Sequence, residues 1–293
     1  MQEISGIMAK TADNKKINIG PILVFLSGVC FSLGGIFLKY IPWNPLAINA
    51  ARNAIAIIFV FAFLKITGHK IIFNRTVLAG ALAISVTQGL YCIANKLTTA
   101  GNAIILQFTV PIWVMVISIF LFHKKPSRLD LTAGAIVMIG VLFFFIDGIK
   151  AGNMLGNALA LLSGITYSGV FLMNSTPKSD SLSSTFFGMI FNILFGLPWL
   201  LRTDFAATQR ITWIVLIIMG IVQVACAFIL LSTGLKTTSP IAASLISGVE
   251  PVLNPIWVAI FYGEVLTPLS LIGAFMVLVA VLVYNTLLVK AAK

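Results

Sequence analysis

Two ionisable residues, Arg52 and Glu250, stand inside stretches of the chain that are otherwise apolar and of membrane length. An ionised group in such a stretch is costly, so it must be paired, protonated or turned toward water. Glu250 lies about ten residues into its run, roughly 15 Å along a helix. A carboxyl at that depth can bind a substrate amine or carry a proton. It can equally bond backbone groups freed by Pro251 and Pro255. Arg52 lies about two turns into its own run and can take a substrate carboxylate bidentately. It can also meet a helix C-terminus, pair with Glu250 or snorkel outward. A guanidinium and a carboxyl together suit an amino-acid-like zwitterion, unless the two simply neutralise each other.

Amides and aromatics extend the candidate site. Gln88, Gln107, Gln223 and Asn254 fall near the middle of apolar runs, with Asn95 nearer an end; such amides bond neighbouring helices as readily as a ligand. Tyr91, Tyr167, Trp113 and Trp257 suit the wall of a cavity for an apolar or aromatic compound. A carboxylate within an aromatic box also suits a cationic or quaternary amine. No metal or cofactor is expected. Cys30, Cys92 and Cys226 have no ligand spacing, and His69 and His123 have no carboxylate or cysteine partner at one. The chain has no G-x-x-x-x-G-K-[ST] loop, so it is not its own ATPase. The other acidic residues are scattered among termini and loops, which argues against a membrane enzyme with clustered acids and histidines. No run carries the continuous polar stripe of an oligomeric channel.

Hydropathy sets the elements that must position these residues. Hydrophobic residues make up 59% of the chain and charged residues 9%, at a mean hydropathy of +1.07. Helices apolar all round need lipid about them. Runs of membrane length predict helices at 19–40, 45–66, 76–96, 101–122 and 129–146, then at 154–173, 182–201, 211–233, 240–262 and 268–289. Turn chemistry such as Pro42-Trp43-Asn44-Pro45 separates them. The fold class is therefore an all-α polytopic membrane protein of ten transmembrane helices. Residues 1–18 read as a polar basic tail, and the helix from Ile19 as a retained span, not a signal peptide. Trp43, Trp199 and Trp213, at helix ends, read as interface anchors.

With ten spans, the side that holds both termini carries most of the lysine and arginine, including Lys10, Lys65, Lys124 and Lys236. The opposite side holds Lys39, Lys96, Lys150, Arg202 and Arg210. By the positive-inside rule both termini are cytoplasmic, and the membrane expected is a bacterial or similar cytoplasmic (inner) membrane. The net charge of +11 is then a matter of topology and anionic headgroups and calls for no nucleic acid.

The sequence is also internally duplicated. Gly20 with Leu26-Ser27-Gly28 matches Gly156 with Leu162-Ser163-Gly164, and Thr98, Ala103, Pro111 and Val137 align without gaps to Thr238, Ala243, Pro251 and Val277. The repeats occupy 19–147 and 154–289. Five helices per half make the second enter the membrane from the opposite side. Two inverted repeats around a central cavity suit a substrate site near the midplane and alternating access to it. Gly28 and Gly164 permit close helix approach, while Pro111, Pro251 and Pro255 are expected to break the fourth and ninth helices.

Gly248-Val249-Glu250-Pro251-Val252, Gly263-Glu264-Val265-Leu266-Thr267 and Leu271-Ile272-Gly273-Ala274 resemble the C-terminal repeat of the EamA family, within the drug/metabolite transporter superfamily. Ala50-Ala51-Arg52-Asn53, Thr99-Ala100-Gly101-Asn102-Ala103 and Pro111 resemble the same repeat in the first half. The resemblance implies a five-plus-five inverted-repeat secondary transporter that exports small metabolites such as amino acids. Import of a cationic amine is the alternative. Its partners would be a small-molecule substrate, the lipid bilayer and protons as coupling ion, with the chain a monomer or homodimer. One position departs from the family: Lys124 stands where the repeat carries Glu264 in the second half.

Overall fold

The computed structural model describes residues 18–148, 153–173, 176, 178–262 and 268–291. The basic tail at 1–17, Lys150 and Glu264 lie outside the described residues. Among the described residues every regular element is a helix. They are α1 (Gly20–Phe31), α2 (Gly34–Tyr40), α3 (Pro45–Ile66), α4 (Arg75–Leu97), α5 (Ala100–Gln107), α6 (Val110–Phe122) and α7 (Arg128–Gly148). There follow α8 (Met154–Met173), α9 (Ser181–Leu200), α10 (Arg210–Ile218), a π-helical segment (Met219–Cys226), α11 (Ala227–Gly234), α12 (Pro240–Ile246), α13 (Val249–Tyr262) and α14 (Pro268–Ala291).

Among the described residues seven runs are long and apolar enough to cross a membrane: Gly20–Tyr40, Pro45–Ile66, Arg75–Leu97, Ala100–Phe122, Met154–Leu172, Ser181–Leu200 and Arg210–Gly234. Only 44–56% of each apolar window is buried within the protein. The outward half carries Phe120, Leu121 and Phe195, all more than 60% exposed. Contiguous bare apolar surface of this kind is tolerated against lipid and not against water. The chain is a multi-pass membrane protein.

Helix starts follow local chemistry. Asn44, Asn74, Thr99, Asp180 and Ser239 each accept a hydrogen bond from a backbone N–H in the first turn they precede, satisfying a donor that the helix leaves open. Pro45 and Pro240 occupy the first helical position, where no N–H is needed.

The interruptions matter more for function. A proline ring excludes the carbonyl four residues earlier. Pro111 and Pro251 therefore act on Gln107 and Ser247, and α5 ends at Gln107 while α12 ends at Ile246. Pro255 does not break its helix: α13 runs through it from Val249 to Tyr262. Two interruptions were not expected from prolines, the gap between α1 and α2 at Ser32–Leu33 and the π-helical segment. The freed Gln107 carbonyl abuts Gly164, where a Cβ would lie 2.5 Å from that oxygen. Gly28 is matched in kind, since a Cβ there would meet Val249 Cγ1 at 2.6 Å. At Gly164 the neighbour is backbone, so only glycine fits there, whereas at Gly28 a Cβ would have to displace the Val249 side chain.

Packing crosses the midpoint of the chain. The most extensive contacts pair α4 with α8, α3 with α9, α7 with α14, α4 with α9, and α1 with α11. The turns gather at two ends. At one, Trp43 Nε1 donates to Thr208 Oγ1 at 3.1 Å and its ring stacks edge-on against Phe205 and Trp213. Trp43 is thus buried among aromatics. At the same end Lys39 Nζ donates to the Thr98 carbonyl at 2.7 Å and Lys96 Nζ to the Ile41 carbonyl at 2.5 Å. Each ammonium sits on the partly negative C-terminus of the other's helix.

At the opposite end His69 Nε2 and Asp180 Oδ2 are 2.9 Å apart, and Ile72 N donates to Ser183 Oγ at 2.9 Å. Burial by itself would raise the Asp180 carboxyl, but hydrogen bonds from Ser183 and His69 outweigh it and hold the group below its ordinary 3.8. Asp180→Ala is expected to cost about 1–2 kcal/mol at neutral pH, read as a lower unfolding midpoint of the purified protein. A depressed carboxyl stabilises above its unfolded value, and that stabilisation is lost as pH falls through the folded value. The gap between wild type and variant therefore closes below about pH 4. A gap equal at pH 7 and pH 3 would remove charge from this account.

Candidate functional site

Arg52 is the largest fully buried side chain, at 1% exposure, so it does not snorkel. Asn49, Arg52 and Asn53 share one face of α3 because residues three and four apart are helical neighbours. Arg52 Nε and Nη2 donate to Asn49 Oδ1 at 3.1 and 2.9 Å, Nη2 also donates to Gln88 Oε1 at 3.1 Å, and Nη1 donates to Gln223 Oε1 at 3.1 Å. Asn53 Nδ2 reaches Gln88 Oε1 at 3.0 Å, and Asn49 Nδ2 donates to Asn192 Oδ1 at 2.8 Å. Three helical elements, α3, α4 and the π-helical segment, thus converge on one guanidinium, and α9 joins them through Asn49.

Every acceptor in this clamp is a neutral amide. Among the described residues the ion pair within 4.0 Å is His69–Asp180 alone. Arg52 therefore neither pairs with Glu250 nor serves a helix C-terminus, two of the roles its sequence position allows. A guanidinium has five N–H donors, and these bonds leave one on Nη1.

Arg52 and Glu250 nevertheless share a space. A buried cavity of about 40 Å³ has both in its wall, with the amides Gln88, Gln107 and Gln223 and the rings of Phe31, Tyr91, Tyr167 and Phe228. Glu250 is 7% exposed and stands in the first turn of α13, where the helix dipole favours negative charge. Among the described residues its carboxyl makes no hydrogen bond or ion pair. Tyr91 and Tyr167 stand within electrostatic reach of it. Gln88 Nε2 is buried with no partner among the described residues, so the cavity offers donors, a carboxyl and aromatic faces together.

Four of the sequence candidates do something else. Asn254 Nδ2 donates to the Ser32 carbonyl at 2.8 Å and Trp257 Nε1 to Ser32 Oγ at 2.9 Å, so both clamp the gap between α1 and α2. Asn95 is fully buried and Trp113 half-buried, and neither lines the cavity. Sequence reasoning missed Asn49 and Asn192. Their signal was present, a polar side chain one helical turn from a buried arginine and a lone amide in an apolar run.

A larger depression of about 720 Å³ opens at the Trp43 end, lined by Tyr40, Trp199, Arg202 and Asp204 among others. It holds none of the candidate binding residues and is built largely from exposed turn residues, so the small buried cavity carries the chemistry.

The model of the EamA-like transporter family matches this chain twice, over residues 18–146 and 154–286. The chain belongs to the EamA-like transporter family. It is 24% identical to an uncharacterized transporter of Archaeoglobus fulgidus over 267 residues, 90% of this chain and 95% of that one. A second uncharacterized transporter, from Clostridium kluyveri, is 24% identical over 97% of this chain and 89% of its own. The uncharacterized inner membrane transporter YedA of Escherichia coli K12 is 30% identical over 130 residues, 43% of this chain. A solved structure titled "Crystal structure of protein" superposes at a TM-score of 0.77 over 93% of this chain and all of that one, at 15% identity, which speaks for the fold alone. In this EamA-like transporter the deeply buried charged groups and the family match point the same way: the protein is a membrane transporter, and the cavity holding Arg52 and Glu250 is its candidate binding site.

Proposed function

We propose that this EamA-like transporter is a secondary carrier that exports a small amphipathic zwitterion of the amino-acid kind across the cytoplasmic membrane. One observation carries the reading: a buried cation and a carboxyl line the same aromatic-walled cavity without pairing with each other. An ammonium would be met by Glu250 and the rings, a carboxylate by Arg52. All ten helical segments cross the membrane with both termini cytoplasmic, and the halves are inverted repeats. The double family match and the pairing of α4 with α8 and α1 with α11 support that arrangement. The cavity has room for a few waters and not for an amino acid, so loading requires helix movement, as alternating access does. Glu250 is the group for proton coupling.

Counterflow in proteoliposomes with phenylalanine, 3-phenylpropionate and phenethylamine tests this. Phenylalanine is expected to drive saturable exchange, with either single-charge analogue competing at least ~10-fold more weakly, each missing group being worth about 1.4 kcal/mol or more. Phenethylamine as the best competitor would instead favour carriage of a cationic amine. No saturable exchange with any of the three would reject the reading.

A further inference from the structure

We propose that the neutral amide clamp reserves the charge of Arg52 for an anionic group of the transported compound, and that Asn49 is the specificity-determining position that keeps it reserved. The inference rests on the substrate reading above and deepens it. A protein that needed Arg52 only as a structural rivet has an obvious way to hold it, with an aspartate or glutamate, since a carboxylate matches the guanidinium fork and cancels its charge. Here Asn49 takes two of the guanidinium bonds through one amide oxygen, at 3.1 and 2.9 Å, and Gln88 and Gln223 take one each. The geometry of an ion pair is present at Asn49 and its charge is not. Position is fixed by dipoles, while the positive charge stays uncompensated in a wall of the cavity.

Asn49 is suited to test this because it is not itself in the cavity wall. Asparagine and aspartate are close in shape, so Asn49→Asp alters the field at Arg52 and not the outline of the site. The substitution removes the donation from Asn49 Nδ2 to Asn192 Oδ1. Asn192 Nδ2 is buried without a partner, so a flip of that amide supplies a donor to the new carboxylate. Gln223→Glu makes the same electrical change from the π-helical segment, on the other side of the guanidinium.

The experiment measures counterflow inhibition by 3-phenylpropionate and by phenethylamine for wild type, Asn49→Asp and Gln223→Glu. Alongside it, unfolding midpoints of the purified full-length proteins are taken in sodium acetate against sodium chloride at equal ionic strength. Both variants are expected to weaken inhibition by the acid at least ten-fold more than inhibition by the amine. They are also expected to lose the extra stabilisation that acetate gives to wild type. Equal weakening of acid and amine would overturn the proposal, since Asn49 would then be merely structural. An unchanged response to the acid would overturn it as well. The acetate arm separates this failure from failure of the substrate reading. If wild type exchanges none of the compounds, acetate stabilisation abolished by both variants still supports an anion-reserving Arg52, and its absence in wild type overturns it.

Discussion

Arg52→Ala is expected to abolish counterflow and to lower the unfolding midpoint at the same time. The truncation removes four charge-assisted hydrogen bonds, each worth about 1.5–3 kcal/mol but not additive. Asn49 Oδ1 and Gln88 Oε1 keep Asn53 Nδ2 as a donor, whereas Gln223 Oε1 is left buried with none among the described bonds. A loss of roughly 3–5 kcal/mol in stability is the expected scale for removing one member of a buried charged network. Transport is expected to fall more than about 100-fold, the loss of a buried charged contact of ~3 kcal/mol. Arg52→Lys retains the charge, but one ammonium cannot reach acceptors on three helical elements in a fork. It is expected to recover part of the stability and little of the counterflow. Normal counterflow in Arg52→Ala would remove Arg52 from the site.

Glu250→Gln should part these two readouts. Its carboxyl is buried and has no partner to lose among the described residues, so the amide isostere takes a costly group out of a low-dielectric site. The unfolding midpoint is expected to hold or rise. Counterflow of the zwitterion is expected to fall about 30- to 150-fold, matching loss of a buried charged contact of ~2–3 kcal/mol. Function exchanged for stability at one position is the behaviour of a site residue. A midpoint that falls in step with transport would assign Glu250 to structure and leave the amine without its partner.

Much of the fold was legible because membrane spans announce themselves. Lipid demands long apolar runs whose backbone bonds stay within the helix, and the runs at 45–66, 154–173 and 182–201 correspond to α3, α8 and α9 within a residue or two. The breaks near Pro111 and Pro251 were legible too, since a proline excludes a specific carbonyl. The gap at Ser32–Leu33 and the π-helical segment carry no such mark, because tertiary contacts from Asn254, Trp257 and the Arg52 clamp hold them. The site divided along the same line. Seven sequence candidates line the cavity, because a buried charge or mid-span amide is costly wherever it falls. Which way an amide faces depends on helix rotation against distant neighbours, so Asn254 and Trp257 turned out to hold a backbone kink. Asn192, a single amide in the long apolar run of α9, reaches Asn49 across the molecule.

The pairing of helices across the midpoint also governs how the protein is made. α1 is the first described helix to leave the ribosome, yet its main neighbour, α11, spans residues 227–234 and does not exist until most of the chain has been translated. α4 likewise waits for α8, and α3 for α9. The early helices must therefore enter the bilayer on hydrophobicity alone, with Ser27, Gly28 and Arg52 facing lipid or provisional neighbours. Arg52 in particular crosses into the membrane long before Gln223 is synthesised to hold it. A nascent chain arrested after α7 would hold Arg52 through Asn49 and Gln88 but without Gln223, and its Gly28 face would lack Val249, features that set an unfinished copy apart from a finished one.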